Sequence, residues 1–245
     1  LTPEQLQGDQ VASLAVPECG TKFVRGMLED SRPQTFSDLV RISGFSHGTN
    51  VWLDNAQDLI KNGTCKLNEA ISTRDDVMNF LIHRGMDRKH SFFVMENVRK
   101  GKGIEKRNKQ GQATTEFEAE MRENNIPEWF IESCKKISYL FPRAHAVAYV
   151  MMAFRIAWFK VYHPLAFYAA YFSIRAKAFD LRIMTGDLKT QLTEFNRIKA
   201  LDRAASPKDK DLMSALEVSM EMYQRGYRFI NVDIQHSEAR RFSIK

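Results

Sequence analysis

Glycine or proline interrupts this chain at intervals of roughly one short helix, and between the interruptions the apolar residues fall mostly three and four apart. Glycine stops helices by taking a left-handed backbone, and proline opens them because its missing N–H is not needed in the first turn. The punctuation therefore predicts a mainly α, multi-helix fold. Thr35 to Ser43 reads as a helix with a Thr cap that closes at Gly44, and Asp54 to Lys61 as one closing near Gly63. Thr73, with Asp75 and Asp76 in the first turn, opens a helix ending at Gly85, and Asp87 caps another that runs to Lys100. Thr115 with Glu118 forms a capping-box pattern. Pro127, Pro142, Pro164 and Pro207 mark four further starts. Weak alternation over Tyr227 to Ile234 and Arg241 to Ile244 predicts a few short β residues near the C-terminus.

A chain of 245 residues with 44% hydrophobic residues buries a real core, and the formal charge of +6 admits anionic partners without naming one. Cys19, Cys65 and Cys134 stand in no metal or disulfide spacing, which points to a reducing cytoplasm. The uninterrupted apolar run Ala146 to Phe154 is closed by Arg155, so no membrane span is expected. The chain opens on Leu1 and stops at Lys245 inside a strand-like pattern, as a piece of a longer protein would. Lys102 to Ala113 is polar and aperiodic and is expected to be a mobile loop.

Most enzyme classes lack their signatures here: there is no H-E-x-x-H, no G-x-S-x-G and no G-x-G-x-x-G behind a strand. No pair of histidines has ligand spacing, so no metal residue is assigned. Arg99-Lys100-Gly101-Lys102-Gly103 reads as the cationic end of a helix or as a phosphate contact. One stretch breaks the dipole rule. Phe141-Pro142-Arg143-Ala144-His145 puts cations in the first turn of a helix, at a cost of about 0.3 to 1 kcal/mol per charge unless an anion binds there. Either Arg143 and His145 meet a neighbouring carboxylate, or they converge on phosphate oxygens, with Tyr139 and Tyr149 beside them as flat rings for a base. Arg74 repeats the arrangement at the helix opened by Thr73, where a local contact with Asp75 or Asp76 is the alternative. Ser46-His47-Gly48-Thr49 reads as a polar loop and a plausible ligand edge. The apolar residues from Ala146 to Phe159, Met151, Met152, Phe154 and Trp158 among them, surround their helix, which predicts a core helix clasped by others.

Phe141-Pro142-Arg143-Ala144-His145-Ala146-Val147-Ala148-Tyr149, followed by Ala157-Trp158-Phe159-Lys160-Val161-Tyr162-His163-Pro164, resembles the fingers motif of bacterial replicative DNA polymerases of the C family. VPECGTKFVRGMLED and RISGFSHGTNVWLDNAQDLIKNGTC are similar to the Gram-positive PolC type of the DNA polymerase III alpha subunit more than to the DnaE type, and VRKGKG, FEAEM and IPEWFIESCKKISYLFP extend the likeness. Lys102 to Ala113 is longer than the family pattern between the glycines and FEAEM. The resemblance implies a fingers domain that binds the incoming deoxynucleoside triphosphate and the DNA template-primer during chromosome replication. It implies Arg143 and His145 on the triphosphate, with Tyr139, Phe141 and Tyr149 near the base. Arg74 and the Ser46-His47 stretch would lie close by, and Arg99, Lys100 and Lys102 would be weaker DNA contacts. Mg²⁺ and its carboxylate ligands would belong to a palm region outside this chain, as would contacts to other replisome subunits. The chain alone is then expected to lack polymerase activity. The implied division is a lead-in over 1–34, a helical core over 35–205 and a segment over 206–245 that leads toward a duplex-binding region. A DnaE-type homologue and a non-enzymatic helical module that binds nucleic acid or protein are the competing readings.

Overall fold

The computed structural model describes every residue except Gln7 and Lys245. Its helices are α1 (Lys22–Ser31), α2 (Phe36–His47), α3 (Gln57–Lys61), α4 (Arg74–His83), α5 (Arg88–Arg99), α6 (Phe117–Glu123), α7 (Glu128–Lys136), α8 (Arg143–Tyr162), α9 (Pro164–Ala170), α10 (Leu181–Met184), α11 (Leu188–Leu201) and α12 (Pro207–Gln224). The fold is mainly α, as the punctuation predicts. Two compact units share the chain, one of residues 22–152 and one of 1–21 with 153–245, and the division falls inside α8.

In the first unit the caps explain the helix starts. The Thr35 hydroxyl accepts from the Asp38 N–H at 3.1 Å while the Asp38 carboxylate accepts from Thr35 N at 2.9 Å. Asp87 caps α5 through the N–H groups of Lys89 and His90. Gly44 does not stop α2. The helix runs on to His47, and a Cβ at Gly44 would stand 2.6 Å from the Ser72 carbonyl oxygen, so this glycine permits close packing rather than a turn. Trp52 to Ala56 is a kinked π-type turn with non-helical Leu53, Asp54 and Asn55, and α3 begins only after it. The Thr115–Glu118 capping box does not form. Glu105 takes its place, accepting from the Glu118 N–H and the Thr115 hydroxyl, each at 2.7 Å. The core of this unit gathers Phe45, Ile71, Leu81, Met121, Phe130, Ile131 and Leu140, all nearly free of solvent.

The second unit packs α9 to α12 around Phe167, Tyr168, Phe172, Met184, Ile198, Leu216 and Met220. Ser206 and Asp209 form the capping box of α12, with Pro207 in the first turn. Lys160 lies buried here. It donates to the carbonyls of Ala12 at 3.0 Å and Leu14 at 2.5 Å and to Glu221 Oε2 at 2.9 Å, while the Tyr168 hydroxyl donates to Glu221 Oε1. Among the described residues, 227–244 contain no strand. A strand needs a ladder partner, and alternation supplies only a face. Phe229 and Phe242 instead pack ring to ring at 5.5 Å and meet Phe172 and Phe179.

α8 is long and apolar enough to cross a membrane by length and composition, yet its buried stripe holds only Ala146, Val150, Ala153 and Lys160. Met151, Met152, Phe154 and Trp158 are 44–58% exposed, which corrects the expectation of a clasped core helix. All-round apolarity says what could be buried, while the amount of chain packed around the helix decides what is.

Candidate nucleotide site

The extended stretch from Ile137 to Pro142 builds the site by crossing its helices and being tied to each. Ser138 N–H donates to the Thr49 carbonyl at 3.0 Å and Thr49 N–H donates back to the Tyr139 carbonyl at 3.0 Å, just beyond the end of α2. Leu140 N–H donates to the Arg99 carbonyl at the end of α5, at 3.3 Å. The Phe141 carbonyl accepts from Arg74 N–H at 3.1 Å, at the first residue of α4. Gly101 lets this crossing occur: with φ +66 it takes a left-handed backbone, and a Cβ there would meet the Ser138 carbonyl oxygen at 2.6 Å. Ile137 and Leu140 point into the core, leaving Tyr139 and Phe141 on the outer side.

The crossing brings two helix N-termini together. The Asp75 carboxylate, from the first turn of α4, accepts from the Arg143 N–H at 2.7 Å, so α4 caps α8. A neighbouring carboxylate therefore does answer the dipole anomaly, but through the Arg143 backbone rather than its guanidinium. The guanidinium groups of Arg74 and Arg143, both half-buried, have no carboxylate partner among the described residues. The N–H groups of Ala144 and His145 also have no acceptor among the described residues. Asp76 serves its own helix, accepting from Ser72 and Thr73 N–H, and faces Arg41 at 3.5 Å.

Beside these N-termini lies a cluster of rings. Phe141 stacks on His145 with centroids 4.9 Å apart, His145 meets Tyr149 at 4.4 Å, and Tyr139 meets Phe141 edge-on at 5.0 Å. His47 joins them, 5.6 Å from Phe141 and 5.8 Å from His145. Ser46 and His47 sit in the last turn of α2 and not in a loop, because Gly44 does not end that helix. His47 Nδ1 lies 2.8 Å from the Ser43 carbonyl, which fixes the proton on that nitrogen, and Ser46 Oγ is 3.2 Å away. Tyr139 and Tyr149 are 39% and 45% exposed and offer the open faces of the cluster.

Sequence reasoning thus names residues that the fold gathers: Arg74, Arg143, His145, Tyr139, Phe141, Tyr149, Ser46 and His47 all lie along this crossing. Arg99 and Lys100 are engaged elsewhere, both with Glu96, and that pairing, Arg99 first, holds the Glu96 carboxyl at about 2. Lys102 is exposed and has no ion pair among the described residues. Asp75 as the cap of α8 was not legible, because its partner lies 68 residues away. The described residues hold no group of three or more His, Cys, Asp or Glu that could bind a metal ion.

Residues 6–125 match the family described as the bacterial DNA polymerase III alpha subunit finger domain. The chain is 54% identical over its whole length to a protein of Caldanaerobacter subterraneus subsp. tengcongensis, 51% to one of Bacillus subtilis, and, over 99% of its length, 53% to one of Thermotoga maritima. All three are called DNA polymerase III PolC-type. Residues 6–125 belong to the finger-domain family of bacterial DNA polymerase III alpha subunits, and the whole chain is similar to PolC-type relatives. It spans 16–17% of the length of these relatives, and its likeness to them covers the 141–164 motif that lies beyond the family match. The PolC-type likeness separates it from the DnaE-type reading.

Proposed function

We propose that this chain is the part of a replicative DNA-directed DNA polymerase that receives the incoming deoxynucleoside triphosphate against a DNA template-primer. The observation that carries this is the juncture of α4 and α8, where two arginines without carboxylate partners head adjoining helices next to an open ring cluster. Free N–H groups at a helix start and guanidinium forks suit phosphate oxygens, and exposed aromatic faces suit a base of any identity. In this reading Arg143, Arg74 and the Ala144 and His145 N–H groups bind triphosphate oxygens. The His145 imidazole adds a further N–H donor. Tyr149 and Tyr139 flank the base, and Phe141 with His47 holds those rings in place.

The residues of this chain orient the triphosphate and exclude water from it, and the groups that activate the primer hydroxyl come from elsewhere in the protein. A divalent metal, with Mg²⁺ as the candidate, would stabilise attacking and leaving oxygens there. Soluble function in the cytoplasm follows from the same reading. α8 supports it, since its Lys160 sits in a buried ion pair rather than in lipid.

A photoreactive deoxynucleoside triphosphate, with the reactive group on the base, tests the proposal in the complete polymerase bound to primed template. Labelling confined to residues 139–149 is expected. Labelling of this chain only outside that stretch and outside 46–52 would overturn it.

A further inference from the structure

The 102–113 segment folds back on itself without any core to hold it. Arg107 and Ala113 form an antiparallel bridge, Asn108 N–H donates to the Gln112 carbonyl at 2.9 Å, and the Asn108 side chain accepts from the N–H groups of Gln110 at 3.0 Å and Gln112 at 2.9 Å. Its base is fixed by buried Ile104 and by Glu105, which turns inward to cap α6. Between Ile104 and Phe117 no residue is buried. The tip therefore does nothing for the hydrophobic core.

What it carries outward is charge. Lys102, Lys106, Arg107 and Lys109 are exposed, and none has an ion pair among the described residues. Lys106 lies over the Phe93 ring at 3.8 Å, and Arg107 donates one N–H to the Gly111 carbonyl, leaving its other donors open. Cations nearby are treated differently. Arg122 pairs with Glu118 and Glu128, Lys135 with Glu118 and Glu132, and Arg99 and Lys100 with Glu96. The one acid of the hairpin, Glu105, is engaged in the α6 cap, so its cations face solvent unneutralised.

Building on the polymerase reading, we infer that the 102–113 hairpin grips a nucleic-acid phosphate backbone without regard to sequence. Protein partners are met through apolar and aromatic anchors, which the tip lacks. Its Lys106-Arg107-Asn108-Lys109-Gln110-Gly111-Gln112 run consists of the side chains that contact phosphate and sugar. The hydrogen-bonded turn presents them together, so binding orders little additional backbone.

The test is the salt dependence of primed-duplex binding by the complete polymerase, with Lys106, Arg107 and Lys109 all changed to Ser. Each lost phosphate contact removes about 0.9 from the slope of log K against log salt. The triple variant is expected to bind with a slope shallower by about 2 to 3 and an unchanged melting temperature, while Lys106→Arg with Lys109→Arg retains the original slope. The single Lys109→Glu variant gives a slope shallower by about 1. An unchanged slope in the triple variant, or weaker binding at the original slope, overturns the inference while leaving the nucleotide site intact. Absence of salt-dependent DNA binding by the unsubstituted polymerase would instead overturn the polymerase reading, and this inference with it.

Discussion

Glu96 shows how one residue can settle the reading of its neighbours. By holding both Arg99 and Lys100 it makes the run before Gly101 a self-contained helix end, and it leaves Lys102 as the unpaired cation of that run. Its carboxyl sits at about 2 against an ordinary 4.5, with the Arg99 hydrogen bond the largest cause and the Lys100 bond next. A lowered carboxyl pKa contributes stability that is present above the unfolded value and lost as pH falls through the folded one. Denaturant titrations of wild type and Glu96→Gln should therefore differ most near neutral pH, and the gap should close as pH falls from about 4.5 toward about 2. A gap that stays constant over that range would show that Glu96 acts through packing. At this scale the sequence was readable where a residue breaks a local rule, as Arg143 does at the start of α8. It was silent where the answer comes from afar, as with Asp75, which caps α8 from a different helix.

Among the elements, α2 runs past its expected end, and the cause is steric. Gly44 looks like a helix stop, yet it lies mid-helix against the Ser72 backbone, which carries α2 on to His47 and brings that ring to the cluster. In an exposed helix, Gly→Ala gains up to about 1 kcal/mol. Here Gly44→Ala should instead lose about 1 to 3 kcal/mol by overpacking, measured by chemical denaturation. A stabilised variant would mean that the contact relaxes freely. Caps written in adjacent residues were legible, as at Thr35 and Asp87, and Pro207 marked the start of α12. The α6 start was not, because Glu105 reaches it from across the hairpin. α11 has a signal that the sequence reading passed over: Asp187 caps it after Gly186, and Leu188, Leu192, Phe195 and Ile198 follow at helical spacing.

At the scale of the whole molecule, hydrophobic pattern predicts helices well and burial less well. α8 is apolar all round and buries one stripe, and the C-terminal alternation finds packing partners but no ladder. One buried tertiary tie in the unit of 1–21 with 153–245 is polar. Lys160 and Glu221, 3% and 1% exposed, join the 12–14 segment, α8 and α12. Lys160→Met should cost about 3 to 5 kcal/mol because it strands a buried carboxylate, and adding Glu221→Gln should recover much of that loss. Additive losses in the double variant would show that the two residues act separately.

In the proposed function Arg143 binds the incoming triphosphate and is not a folding residue. Single-turnover nucleotide incorporation by the complete polymerase carrying Arg143→Ala, with a thermal melt on the same preparation, separates the two roles. Loss of a charge-assisted contact of about 1.5 to 3 kcal/mol should lower incorporation efficiency by roughly one to two decades. The loss should divide between nucleotide affinity and the chemical step, with the melting temperature nearly unchanged. A destabilised protein that incorporates nucleotide at the wild-type rate would instead make Arg143 a structural residue.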